Sequence, residues 1–285
     1  MPGLPDFLEG AVDLHVHSAP DVDVRRFNDI ELAREAARAG MGAILIKSHQ
    51  NSTVERAWLV SRVVPEIQVF GGLVLNETVG GLNPAAVRLA VSMGAKQVWM
   101  PTRSARNHRS HDGLPRGITV LDENGKLLPA VEEILKAIAG SDCILGTGHL
   151  SQEETFTLVD RACAVGGIKV VITHPEWGPT FYSVEQQKAL VARGNVMFER
   201  CFVSTTHLCG FVPFETIEQA IAATGVENTV LSTDLGQPDT PPPTEGLRLY
   251  AARLRSSGFS VDDIRRMMQS NPGRLLGVKG RDRNE

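Results

Sequence analysis

The chain has 285 residues, 42% of them hydrophobic and 22% charged, with a formal net charge of −4. That composition excludes a disordered or collagen-like chain. With no basic field and no apolar run near the roughly 20 residues of a membrane span, neither nucleic acid nor a membrane is an expected partner, which leaves a small-molecule substrate.

Short apolar runs alternate with helical patterns along the sequence. The first strand is read at 11–16, a helix at 29–39 ending on Gly40, a strand at 43–46 and a helix at 53–64. A strand at 68–75, a helix at 84–93 before Gly94, and a strand at 97–100 follow. Residues 101–127 form a longer connection, in which 118–121 and the turn Glu123-Asn124-Gly125 predict a small hairpin. Beyond it come a helix at 129–139, a strand at 143–145, a helix at 153–165 and a strand at 169–172. The series continues with a helix at 184–192, a strand at 196–198, a helix at 214–224 and a strand at 229–231. A last helix spans 245–256, and 262–269 adds a helical tail.

Eight strands alternating with eight helices require parallel pairing, because each crossover contains a helix. Eight such units close most naturally into a (β/α)8 TIM barrel, taken as a single domain over 1–285 with its core at about 11–277. An open doubly wound sheet would carry a glycine-rich first turn, whereas the first turn here is His17-Ser18-Ala19-Pro20. Cys143, Cys163, Cys201 and Cys209 form no Cys-x-x-Cys pair and read as reduced, mostly buried thiols of a cytoplasmic protein. Residues 1–10 lack the basic start of a signal peptide.

The polar residues at the strand ends carry the chemistry. Alternate strand residues share a face, so His15 and His17 point the same way, about 6.6 Å apart along the strand. Alone, His-x-His is as well explained by chance or by two satisfied core histidines. Here strand five runs out into Gly148-His149, strand six into Thr173-His174-Pro175 and strand eight into Ser232-Thr233-Asp234, each on the barrel face where active sites form. Four of only eight histidines fall in this pattern. Imidazoles with one carboxylate suit a divalent zinc, manganese or iron ion better than calcium or magnesium.

A second set of candidates comprises Lys47 and His49 after strand two, Glu77 after strand three and Glu199 after strand seven. Lys47 and His49 are candidate substrate contacts, and Lys47 is alternatively an ion-pair partner of Glu199 or Asp13. Glu199 is a candidate metal ligand. The long connection holds Arg103, Arg106, His108, Arg109, His111 and Arg116. It reads either as a solvated loop or as a lid whose guanidinium groups, Arg103 and Arg106 first, clamp an anionic substrate. His207 is a weaker candidate for substrate contact.

Asp13-Leu14-His15-Val16-His17, His149, Thr173-His174-Pro175, Ser232-Thr233-Asp234 and the tail Ser270-Asn271-Pro272-Gly273-Arg274-Leu275-Leu276-Gly277 together resemble the amidohydrolase superfamily. The resemblance spans about 11–277 and implies a distorted barrel with one or two divalent metals, zinc foremost. It implies that His15, His17 and His149 are metal ligands, that His174 is a ligand or an electrophile, and that Asp234 is a ligand and the general base. The activity implied is hydrolysis of an amide, lactone or similar bond, by a barrel of a kind that often self-associates. Strand four ends Trp99-Met100-Pro101-Thr102, without the lysine or glutamate that bridges two metals in many members. Either the site is mononuclear or the bridging role has moved, with Glu199 the candidate. Lys47-Ser48-His49 is similar to the threonine-aspartate-histidine of the polymerase-and-histidinol-phosphatase phosphoesterases, but their closing aspartate-x-histidine is absent, since position 236 is glycine. A phosphoesterase or a metal-dependent decarboxylase on the same barrel is therefore the alternative.

Overall fold

The computed structural model describes residues 6–278. Residues 1–5, half of the stretch 1–10 read above against a signal peptide, lie outside the described residues, as do 279–285.

The elements alternate as the sequence predicts. In chain order they are β1 (Val12–Val16), α1 (Asp29–Arg38), β2 (Ala43–Ile46), α2 (Val54–Val63), β3 (Gln68–Val74), α3 (Pro84–Ser92), β4 (Gln97–Trp99), α4 (Arg106–His111) and α5 (Pro129–Ile138). There follow β5 (Ile144–Gly146), α6 (Gln152–Val165), β6 (Lys169–Thr173), α7 (Val184–Val191), β7 (Val196–Cys201), α8 (Phe214–Thr224) and β8 (Thr229–Ser232). Helices α9 (Pro243–Ser256), α10 (Val261–Arg265) and α11 (Asn271–Leu276) close the described chain, the last two joined by a π-helical turn at Arg266–Ser270. The eight strands form one sheet in the order β1 to β8, which makes the fold a (β/α)8 barrel.

Local chemistry sets the helix starts. Asn28 with Glu31, Ser151 with Glu154 and Ser183 with Gln186 make reciprocal capping boxes at α1, α6 and α7. Proline takes the first helical position of α3, α5 and α9, where its missing N–H costs nothing. The expected hairpin exists as one antiparallel bridge, Leu121 to Leu127, around a turn with Gly125 at φ +73°. The short helix α4 was not expected. Its sequence, Arg-Asn-His-Arg-Ser-His, has no apolar period to reveal it.

The described chain divides into two compact units, one of residues 6–46, 56–70 and 200–278 and one of residues 47–55 and 71–199. In the first unit β1 pairs in parallel with β2, with a register shift between Asp13 and Val16, the stretch that carries His15. On its other side β1 meets the end of β8, where Asp234 N–H donates to His15 O (2.7 Å) and His17 N–H to Leu235 O (2.8 Å). Leu14, Ile44, Leu231, Tyr250 and Met267 are fully buried there. In the second unit β3 to β7 pair in sequence around a core that includes Val98, Leu145, Ile172 and Phe198.

Candidate functional site

In the first unit the sequence-predicted ligands meet. His15 and His17 are both buried, and each brings Nε2 to 2.9 Å from the same carboxylate oxygen, Oδ1 of Asp234. The three donor atoms lie within 4.8 Å of one another, and the Asp234 side chain keeps 15% of its surface open to solvent. Two imidazole nitrogens and a carboxylate oxygen converging at a solvent-reached position form a donor set that fits a zinc-like divalent ion.

The geometry follows from the backbone. Asp234 has φ +52°, in the left-handed region, while its N–H still bonds to β1. Gly236, two residues on, has φ +148°, and a Cβ there would lie 2.1 Å from His17 O, so only glycine lets the chain pass. Beneath the pair, Asp13 accepts from His15 N–H (3.1 Å), Thr233 N–H (3.1 Å) and the Thr233 hydroxyl (2.6 Å). Burial pushes the Asp13 carboxyl up to about 7, although those three donors pull it down.

Two neighbours of the histidines carried no signal in the sequence. Cys201 Sγ stands 3.7 Å from His15 Nδ1, and Arg25 Nη2 stands 3.4 Å from His17 Nδ1. Asp21 holds that guanidinium through Nε (3.1 Å) and Nη2 (3.0 Å). His207, by contrast, is exposed and pairs at 2.9 Å with Asp239.

The second unit gathers the other histidines. His149 and His174 lie with ring centroids 5.6 Å apart, both against Trp177 at 5.0 and 5.6 Å, and His49 lies 6.4 Å from His149. His49 Nδ1 is 2.9 Å from the Thr102 hydroxyl, and Asn76 ties that corner by donating to His49 O and Thr102 Oγ1 and accepting from Thr102 N–H. Gly148 places His149. At φ +60° its missing Cβ would otherwise sit 2.3 Å from Met100 O. His174 has φ +52° while its N–H bonds Glu199 O at 3.2 Å. Lys47 and Glu199 are fully buried, and Lys47 Nζ lies 5.4 Å from the centroid of the Trp99 ring.

The long connection brings in a residue expected only as one of a run. His108 on α4 puts Nδ1 at 2.9 Å from His149 Nδ1 and Nε2 at 3.2 Å from Asp112 Oδ2. Asn107 beside it donates to His149 O (3.2 Å) and Pro179 O (2.6 Å), which fixes α4 in place. Burial pushes His108 below its ordinary range against the pull of Asp112, and the positive charge of Arg103 adds to the lowering. Arg103, Arg106, His111 and Arg116 are exposed, as is Glu77, which lies 3.7 Å from Arg109.

Comparison with known proteins places these observations. The model of a family described as a family of unknown function, DUF6282, matches residues 10–199. No curated protein matches the chain. Among solved structures, an amidohydrolase from Pseudomonas aeruginosa is similar with a TM-score of 0.62 at 12% identity, over 95% of this chain and 96% of that one. The organophosphorus hydrolase from Deinococcus radiodurans gives 0.58 at 14% identity, over 96% and 94%. A dihydroorotase gives 0.58 at 14% identity, over 96% of this chain and 71% of that one. At such identities the likeness is one of fold.

Proposed function

We propose that this chain, which belongs to the family of unknown function DUF6282, is a metal-dependent hydrolase acting on an amide, lactone or similar bond of a small, anionic substrate. The observation that carries the reading is the convergence of His15 Nε2, His17 Nε2 and Asp234 Oδ1 within 4.8 Å. The fold shared with an amidohydrolase, a dihydroorotase and an organophosphorus hydrolase supports it.

His15, His17 and Asp234 would hold the ion, with zinc the best match to the donors and manganese or iron next. When bound, it supplies acidification of water and polarisation of the scissile bond. Asp234 accepts the water's proton and returns it to the leaving group, and its partial exposure leaves room for water to reach it. In the second unit, His149 is assigned as a further ligand and His174 as a ligand or an electrophile that stabilises negative charge. Glu199 is the carboxylate available for a second ion. Lys47 and His49 are assigned to substrate, and the exposed Arg103 and Arg106 to its anionic group. The whole chain is taken as one catalytic domain of a cytoplasmic enzyme that self-associates.

Elemental analysis of the purified protein, with turnover measured on lactones, small amides and phosphate monoesters, tests this. The expected result is at least one zinc, manganese or iron per chain and hydrolysis of a lactone or amide, lost in His15→Ala without loss of fold. Preferential turnover of phosphate esters would move the chain to the phosphoesterase reading. A chain that binds no metal would end both.

A further inference from the structure

We propose that a cleft beside α1 is a second ligand site, separate from the proposed metal centre, that takes a small multivalent oxyanion. The cleft has a volume of about 380 Å³ and is lined by Arg26, Phe27, Glu31, Arg34, Glu35 and Arg38, all in the first unit. It shares no residue with the cluster of His15, His17 and Asp234.

The positive charge left over in the cleft carries this. Glu31, Arg34, Glu35 and Arg38 recur every three or four residues and so share one face of α1. On an ordinary solvated face, glutamates and arginines at that spacing pair with one another. Here both carboxylates are engaged elsewhere. Glu31 Oε2 accepts from Asn28 N–H at 2.9 Å in the capping box, and Glu35 Oε1 accepts from the Thr244 hydroxyl. Arg34 and Arg38 make no hydrogen bond and no ion pair among the described residues. They stand four positions apart, where like charges on a helix repel. Arg26 enters from the loop before α1, and its Nη2 donates only to carbonyls, to Thr240 O at 2.5 Å and to Pro238 O. Three guanidinium groups thus face one cleft with donors to spare, and their planar forks suit phosphate and carboxylate oxygens.

Glu35 opposes an anion less than an ordinary glutamate. Its Oε2 is buried without a hydrogen-bond partner, and burial pushes its carboxyl above the usual range against the pull of Thr244, Arg248 and Arg38. A carboxyl held nearer its neutral form repels an incoming charge less. The half-buried Phe27 adds a wall of low dielectric, which focuses the field of the three cations on the cleft. A bound oxyanion also relieves the repulsion between Arg34 and Arg38. Compensating those charges takes more than one negative charge, which excludes a simple halide and selects phosphate-like or dicarboxylate chemistry.

The test is titration of isotope-labelled protein with inorganic phosphate and, separately, with succinate, at mildly alkaline pH and low ionic strength, read from backbone amide shifts. The expected result is a saturable shift of the amides of residues 26–38, weakened by added sodium chloride. Arg34→Gln and Arg38→Gln each weaken binding about threefold, and together about tenfold, the size of one and of two exposed charge contacts. Glutamine is a good helix former, so both variants keep α1. Arg88→Gln, an equal loss of charge on α3, leaves binding unchanged, and so does His15→Ala, which removes a proposed metal ligand. Tighter binding of phosphate assigns the cleft to phosphate esters and tighter binding of succinate to dicarboxylates, and either result sustains the proposal. No saturable shift with either anion, an unweakened affinity in the Arg34→Gln/Arg38→Gln double variant, or binding lost in His15→Ala overturns it. The readout needs no turnover, so a chain that hydrolyses nothing still answers it, and a cleft that binds nothing leaves the hydrolase reading standing.

Discussion

Thr233→Val tests whether Asp13 is the strut beneath the two histidines. Thr233 is fully buried, and valine matches its shape. The substitution removes the hydroxyl that donates to Asp13 Oδ2 at 2.6 Å and accepts from Leu235 N–H at 3.3 Å. Leaving a buried charged acceptor short of a donor costs about 1–3 kcal/mol, the long bond to Leu235 adds a few tenths, and the extra methyl returns a similar amount. The net expected loss is therefore about 2 kcal/mol. Its pH dependence identifies the partner. The folded pKa of Asp13, about 7, stands above its ordinary 3.8, so the native state binds the extra proton between those values and stability falls as pH rises across that window. Removing a donor that favours the charged form raises the folded pKa further. The penalty therefore grows with pH: it is larger at pH 8, where wild-type Asp13 is mostly ionised, than at pH 5.5, where the carboxyl carries its own proton, and it reaches its full size only above the raised pKa of the variant. Urea unfolding of chelated protein at both pH values measures it by circular dichroism. Thr233→Ser keeps the hydroxyl, so its smaller loss stays the same at both. A Thr233→Val loss below about 0.5 kcal/mol at pH 8, or one equal at the two pH values, refutes the reasoning.

Three further outcomes are expected. Asp234→Asn keeps a residue that tolerates the left-handed backbone, so the fold survives while metal affinity, read by titration against a chromophoric chelator, falls by more than about 100-fold, beyond the 10- to 100-fold cost of losing an outer partner. Retained affinity would remove Asp234 from the ligand set. Stripping the metal lowers the melting temperature by about 5–10 °C if the ion is present at 100 times its dissociation constant, since that linkage is worth about 2.7 kcal/mol. An unchanged melting curve would mean that the folded state does not bind the ion preferentially. The thiols of Cys143 and Cys209, each pushed up to about 12 by burial, carry a thiolate fraction of only about one in ten thousand at pH 8. Both should resist alkylation in the native protein and react on unfolding, as peptide mass spectrometry can check.

The architecture was legible because its signals are local. Apolar runs of strand length, capping residues such as Asn28 and Ser151, and prolines at helix starts act within a few positions of one another. The meeting of His15 and His17 was legible for the same reason, as alternate residues of one strand. Asp234 required only the next inference, that strand ends share a face. His108 was illegible. It sits in a six-residue helix without apolar periodicity, held by bonds from Asn107 to carbonyls 42 and 72 positions away. The places of Arg25 and Cys201 beside the site were illegible likewise, because their approach to His17 and His15 is created by a loop and by a strand 186 residues distant. Their types and spacing encode nothing that proximity does not supply.

The backbone at His174 and Asp234 leads to a final expectation. Only five non-glycine residues among those described have a positive φ, and these two proposed site residues are among them, each just past a strand end. In both, the N–H still bonds the neighbouring strand, to Glu199 O and to His15 O, so the sheet continues while the inverted φ redirects the side chain. A left-handed non-glycine residue costs about 1–2 kcal/mol, which the surrounding bonds must offset. Aspartate at 234 lessens the cost by its tolerance of this region, but histidine at 174 does so only in part. If the strain is real, the smallest side chain is the wrong control. His174→Ala keeps the unfavourable φ, while His174→Gly relieves it, so the glycine variant should melt about 2–4 °C above the alanine variant although it has lost more side chain. Both should lose turnover alike. If alanine proves as stable as glycine, position 174 is not held left-handed in solution, and the account of how the strand end aims its imidazole fails with it.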